Sequence, residues 1–276
     1  MARSADDLAL ALRLLAADPP TEDGADRPPM PAALQSGRYR VAAWLDDDYA
    51  AVDADMRPVT AAAIASLQQA DIDIDATARP ETTLAEAHAV YRGLVQKVFR
   101  GQGPAGLEER RSALHEVWES FFNRFDVLLA PVAPVTAFAH DHSEPMGERR
   151  LRINGAKVDY IRALSAWSSL ASAAGLPATA VPVGQSTVGL PVGLQVIGPR
   201  GGDVVTLGFA SLMDRQSAAS SHRRPLRHRP DPDRSARPLT PSCIPRPAAM
   251  SASMASSRPS ILRSAPASQA VPGEGR

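Results

Sequence analysis

Two hydrophobic periods, close to 3.6 and 2 residues, take turns along the first 215 residues. Leu8, Leu12 and Leu15 fall on one helical face, and the Ser4 and Asp7 spacing forms a capping box, so a helix starts at Ser4. Asp18-Pro19-Pro20 stops it. Residues 19–37 are polar and proline-rich, a loop. A short apolar run at 41–45 reads as a buried strand. Asp55 can cap a second helix with Val59, Ala63 and Leu67 inward, and Pro58 is tolerable in its first turn. Ile72 and Ile74 alternate with aspartates, as a strand with one polar face would.

Thr83 and Glu86 repeat the capping-box spacing. They open a helix whose inward stripe is Leu84, Ala87, Tyr91, Leu94 and Val98, ended by Gly101 and Gly103. A helix at 108–124 carries Leu114, Val117, Trp118, Phe121 and Phe122. A strand follows at 127–130, and Pro131 and Pro134 prevent its continuation. Residues 135–150 read as an irregular loop. A helix at 158–173 should turn Ile161, Leu164, Trp167 and Leu170 inward and end at Gly175. Strands at 179–183 and 192–197 flank a glycine-rich turn, and Asp203 caps a last helix. Alternating helices and strands predict an α/β layer fold.

Composition changes this picture at one place. Residues 216–276 hold ten Arg, no Lys and three acids, a charge of +7, and the zero net charge of the chain leaves −7 for residues 1–215. Ser, Arg, Pro and Ala make up 42 of those 61 residues, so that tail is expected to be disordered and apart from the domain at 1–215. A shifted reading frame in GC-rich DNA would encode such a segment. Its arginines could meet phosphate, but it has no Phe, Trp or Tyr for base stacking, so nucleic acid is not an expected partner. One cysteine, Cys243, excludes an intrachain disulfide and a Cys-based zinc cluster. No apolar run nears the roughly 20 residues that span a bilayer, and no signal peptide opens the chain, so a cytoplasmic location without membrane contact is expected.

Three motifs in order carry a resemblance. Residues 125–131 read FDVLLAP, 175–182 read GLPATAVP and 189–199 read GLPVGLQVIGP. Together with MARS-x-x-DLA at 1–9, they resemble the C-terminal portion of the amidase signature family over about residues 1–214. The resemblance implies part of that fold, a mixed β-sheet with flanking helices lacking its N-terminal half. It also implies hydrolysis of a carboxylic amide C–N bond without a cofactor. The family's serine nucleophile, relay serine and lysine base, and its Gly-rich oxyanion loop, precede the MARS-x-x-DLA run. No catalytic residue is therefore expected here. The chain is expected to be inactive unless a separate polypeptide supplies the N-terminal half. A noncatalytic remnant, or a binding protein using the basic tail, stays open as an alternative.

Local substitutes for the triad look poor. Lys97 sits on a helix and Lys157 follows an Asn154-Gly155 turn, both as solvated side chains. Residues 184–189, GQSTVG, are one residue too long for a nucleophile elbow and join two strands. Ser168 and Ser169 fit helix packing. His140 and His142 could ligate a metal only with a third partner that is not evident, so no metal site is expected. His140, His142 and Trp167 are instead the candidates for touching a small or aryl amide in a complete enzyme. No motif points to the enzyme component that amidates glutamyl-tRNA.

Overall fold

The computed structural model describes residues 2, 4–16 and 39–219. The loop expected at 19–37 and the tail expected to follow the domain lie outside these residues, apart from the tail's first residues at 216–219.

The order of elements follows the alternation in the sequence. Helix α1 (Ala5–Ala16) is followed by strand β1 (Val41–Ala43), a 3-10 turn (Asp48–Ala50), α2 (Arg57–Gln69) and β2 (Ile74–Asp75). Then come α3 (Leu84–Arg100), α4 (Leu107–Arg124) and β3 (Val127–Pro131). A hairpin of β4 (Arg150–Ile153) and β5 (Ala156–Asp159) leads into α5 (Tyr160–Ser165) and α6 (Ser169–Ala174). The long strands β6 (Ala178–Gln185) and β7 (Pro191–Ile197) precede α7 (Asp203–Ala219).

Five strands form one sheet in the order β2-β1-β3-β7-β6. β1 runs parallel to β2 and β3, whereas β7 runs antiparallel to β3 and β6. The sheet is thus mixed, with helices on both faces, as the sequence predicted. The period of two sorts the strand side chains between two cores. Ala42, Leu128, Ala130 and Ile197 face a layer holding Leu84, Trp118, Trp167 and Leu170 of α3, α4 and the α5–α6 segment. Val41, Ala43, Leu129 and Val196 face the other layer, with Leu67 of α2 and Phe209 of α7. β3 is buried at every position, which fits a central strand.

Three expectations change. The loop at 135–150 ends in the β4–β5 hairpin, whose turn residues Asn154 and Gly155 have φ of 50° and 80°. Two consecutive positive φ values suit an Asn-Gly turn matched to strand twist. The helix at 158–173 is two short helices. At the break, Gln195 Nε2 of β7 donates to the Trp167 carbonyl at 2.9 Å, and Ser168 and Ser169 hydroxyls donate back to the carbonyls of Ser165 and Ala166. These bonds compete with the helical ladder. Ile161 and Leu164 are consequently exposed rather than inward, while Trp167 and Leu170 are fully buried. Finally, α2 is capped at Met56, not Asp55, because Asp55 is drawn into a turn by Asp53, whose Oδ1 accepts from the Asp55 amide at 3.0 Å.

Val98 and Leu15, placed on inward stripes, are exposed at 80% and 76%. Leu10 and Leu14 of α1 are exposed as well.

Candidate functional site

Motif residues prove to be scaffold. Asp126 of FDVLLAP accepts from the Arg40 backbone amide at 2.7 Å and from its Nη2 at 2.7 Å, which ties the entry of β1 to that of β3. Gln195 of GLPVGLQVIGP, buried, donates to the carbonyls of Pro131 and Trp167 at 2.8 and 2.9 Å. A Cβ at Gly198 would meet Thr206 Cγ2 at 2.7 Å, so only glycine lets α7 close over the end of β7. These residues fix where strands end and helices begin.

Trp167 is fully buried. Its indole N–H donates to the Ala50 carbonyl at 2.9 Å and its ring meets Trp44 edge-on at 6.1 Å. It presents no surface to a ligand in this arrangement. His140 and His142 stand exposed on the loop ahead of β4, with rings stacked at 5.7 Å. Between them, Asp141 accepts from the Ser143 hydroxyl and amide, which holds its carboxyl below the usual range. Among the described residues no group of three His, Cys, Asp or Glu could hold a metal ion.

A polar cluster forms from residues far apart in the sequence. His88 of α3 is 1% exposed. Its Nδ1 lies 2.8 Å from the Tyr49 hydroxyl and its Nε2 2.9 Å from Ser165 Oγ. The Ser165 hydroxyl donates to the Ile161 carbonyl at 2.6 Å, so it accepts from His88 Nε2–H. Nδ1 then accepts from Tyr49. Burial, followed by Arg92 and Arg162, pushes the imidazole below its ordinary pKa, toward the neutral form. The arrangement has the wrong polarity for nucleophilic catalysis, because a base must take the serine proton rather than give one. It is a clamp that joins α3, the 3-10 turn and α5. A signal existed: His88 stands at i+4 from Leu84, on the buried face of α3.

Other hydroxyls and lysines are engaged or solvated. Ser168 and Ser169 donate to backbone carbonyls, Lys97 Nζ pairs with Glu108 at 2.5 Å, and Lys157 is exposed. Ser186 lies in the β6–β7 turn, where its Oγ accepts from the Leu190 amide at 3.3 Å.

Open space gathers along β6. This strand closes the sheet at one edge, and its residues Ala178, Ala180 and Pro182 are exposed while Thr179 and Val181 are buried. An open groove of about 740 Å³ lies at its far end, between Val59, Ala62 and Ser66 of α2, Gly184 and Gln185 of β6, and Met213 of α7. A smaller one of about 100 Å³ lies between Leu8 of α1, Ala180 and Pro182 of β6, and Ala210 of α7.

A mixed sheet closed by this hairpin, with helices on both faces, is the amidase type of fold. A solved amidase shares it with a TM-score of 0.56 at 17% identity, over 78% of this chain and 51% of the other. The 6-aminohexanoate cyclic dimer hydrolase gives 0.53 at 16% identity, over 78% and 53%. In sequence, residues 105–207, which hold all three C-terminal motifs, match the Amidase family. The A component of the glutamyl-tRNA(Gln) amidotransferase of Leptospira interrogans is 36% identical over 93 residues, which is 33% of this chain and 17% of that protein. Its counterpart in Granulibacter bethesdensis is 38% identical over 106 residues, 38% of this chain and 19% of the other. The chain thus spans about half the length of the solved amidases and about a fifth of the curated relatives it matches.

Proposed function

We propose that this chain forms the C-terminal portion of an amide-hydrolysing enzyme and is inactive by itself. Catalysis then needs a polypeptide segment carrying the N-terminal half of the fold, with its serine nucleophile, relay serine and lysine base. The observation that carries this reading is how little of a solved amidase the chain accounts for. Residues 105–207 match the Amidase family, and the fold around them corresponds to about half of a solved amidase. The proton positions support it, since Ser165, Ser168 and Ser169 each give their hydroxyl proton to a backbone carbonyl.

The role left to this chain is scaffold and one wall of a substrate site. His140 and His142, exposed on the loop that leaves β3, can line the rim of that site when the fold is completed. Trp167 would act from beneath, by holding the α5–α6 break. The substrate class is a carboxylic amide, cleaved to acid and amine or ammonia. No helix among the described residues is long and apolar enough to cross a membrane. The proposal places both halves in the cytoplasm.

Complementation tests the reading. The chain, co-expressed with the N-terminal half of an amidase of known structure, should co-purify with it and release ammonia from a simple amide. Activity should vanish when the partner's nucleophilic serine becomes alanine. Co-purification without turnover would leave a binding remnant, and no association at all would contradict the proposal.

A further inference from the structure

Arg111, His115 and Trp118 of α4 stand at i, i+4 and i+7, and so share one helical face. Arg200, just past β7, reaches the same face: its Nη2 lies 3.1 Å from His115 Nε2 and 3.3 Å from Nδ1. Gly175, the C-cap of α6, stands beside both arginines. A Cβ built there would lie 3.8 Å from Arg111 Nη2 and 3.9 Å from Arg200 Nη2. Two guanidinium groups therefore converge on one point.

Like charges do not gather without an opposing one. Among the described residues neither arginine has a carboxylate within ion-pair distance. Glu108, whose carboxyl senses Arg111, is paired with Lys97, and Glu119, one turn along α4 from His115, acts on that ring as a charge. Arg111 Nε is buried with no hydrogen-bond partner, and so is Trp118 Nε1 on the same face. A buried guanidinium N–H without an acceptor is costly and rare in folded proteins.

We infer that Arg111, Arg200 and His115 form a binding site for a small phosphate-bearing anion. The guanidinium fork matches oxyanions bidentately. One carboxylate has two oxygens and one charge, enough for a single fork. A phosphate dianion offers more acceptors and neutralises both arginines. His115, which burial and then Arg200 and Arg111 keep below its ordinary pKa, accepts from Arg200 as a neutral ring and so orients that guanidinium without adding a third charge. The competing reading is structural: the arginines merely face the carboxyl end of α6, where helix carbonyls attract cations. That arrangement has no saturable site.

The test uses the full chain at constant ionic strength, titrated with inorganic phosphate against chloride, and reads both arginine Nε–Hε NMR signals and the thermal midpoint. Saturable binding is expected. Arg200→Gln, at an exposed position, and Arg111→Gln should each weaken it by about tenfold, the loss of one charge-assisted pair. Arg150→Gln on β4 should leave it unchanged. If Arg111→Gln fails to fold, Arg200→Gln decides alone. Absence of saturation, equal affinity for acetate, or binding unaltered by Arg200→Gln would overturn the assignment.

Discussion

At the scale of single residues, His88 carries the sharpest expectation. The unfolded chain protonates it near 6.5, the folded chain only at a lower pH. Its neutral form therefore contributes stability that is level above 6.5. That contribution falls as pH drops from 6.5 toward the depressed folded value, and levels again below it. His88→Phe removes this titration, leaves the Tyr49 hydroxyl without its imidazole acceptor and takes away the donor to Ser165 Oγ, at a cost of about 1–3 kcal/mol near neutral pH. Urea midpoints at neutral and mildly acidic pH should show the gap between wild type and variant narrowing on acidification. A constant gap would mean that His88 titrates alike in both states. Trp167→Ala should cost more, about 3–5 kcal/mol, because it empties a fully buried site and frees the Ala50 carbonyl.

Both residues also show what the sequence could convey. The place of Trp167 on a buried stripe was legible from helical spacing. Its role at a helix break was not, since that depends on Gln195, 28 residues away. His88 lay on a legible stripe too, but its partners Tyr49 and Ser165 come from elements 39 and 77 residues distant. Periodicity reports which face a residue occupies, not which polar groups meet it there.

At the scale of elements, capping chemistry is legible where no neighbouring side chain competes for it, as at Thr83, and fails where one does, as at Asp55. The Thr83–Glu86 capping box forms as its spacing predicts, with Glu86 N–H donating to Thr83 Oγ1 at 3.1 Å and Thr83 N–H donating to Glu86 at 2.9 Å. Thr83→Ala should cost about 1 kcal/mol in thermal or urea unfolding, and no change would show the cap to be dispensable. The β4–β5 hairpin is harder to see because each strand is only four residues long, although Arg150-Leu151-Arg152-Ile153 alternates polar and apolar residues and Asn154-Gly155 marks its turn. The edge strand β6 makes a further prediction. Its amides that face away from β7 should exchange with solvent quickly in the isolated chain, while those of β3, buried throughout, exchange only by global opening. Equal protection along both edges of β6 would show that a second copy or another segment already pairs there.

At the scale of the molecule, the sheet and its two helical layers were legible because strands and helices alternate and the burial pattern follows each period. The likeness to amidases was legible from three short motifs. Their residues Asp126, Gln195 and Gly198 now have physical reasons, since they lock strand entry, a helix break and a close approach. The chemistry was not legible as a site, and Ser165, Ser168 and Ser169 give their protons to backbone carbonyls rather than to a base. The exposed face of α1, with Leu10, Leu14 and Leu15, and the open edge of β6 agree with a fold that more polypeptide completes.

Ammonia release by the purified chain, offered simple and aryl amides without any partner, tests this account most directly. The account predicts no turnover above the uncatalysed rate. Turnover that disappears on a single substitution, Ser165→Ala or Lys157→Met, would contradict it and place a complete catalytic centre within this chain.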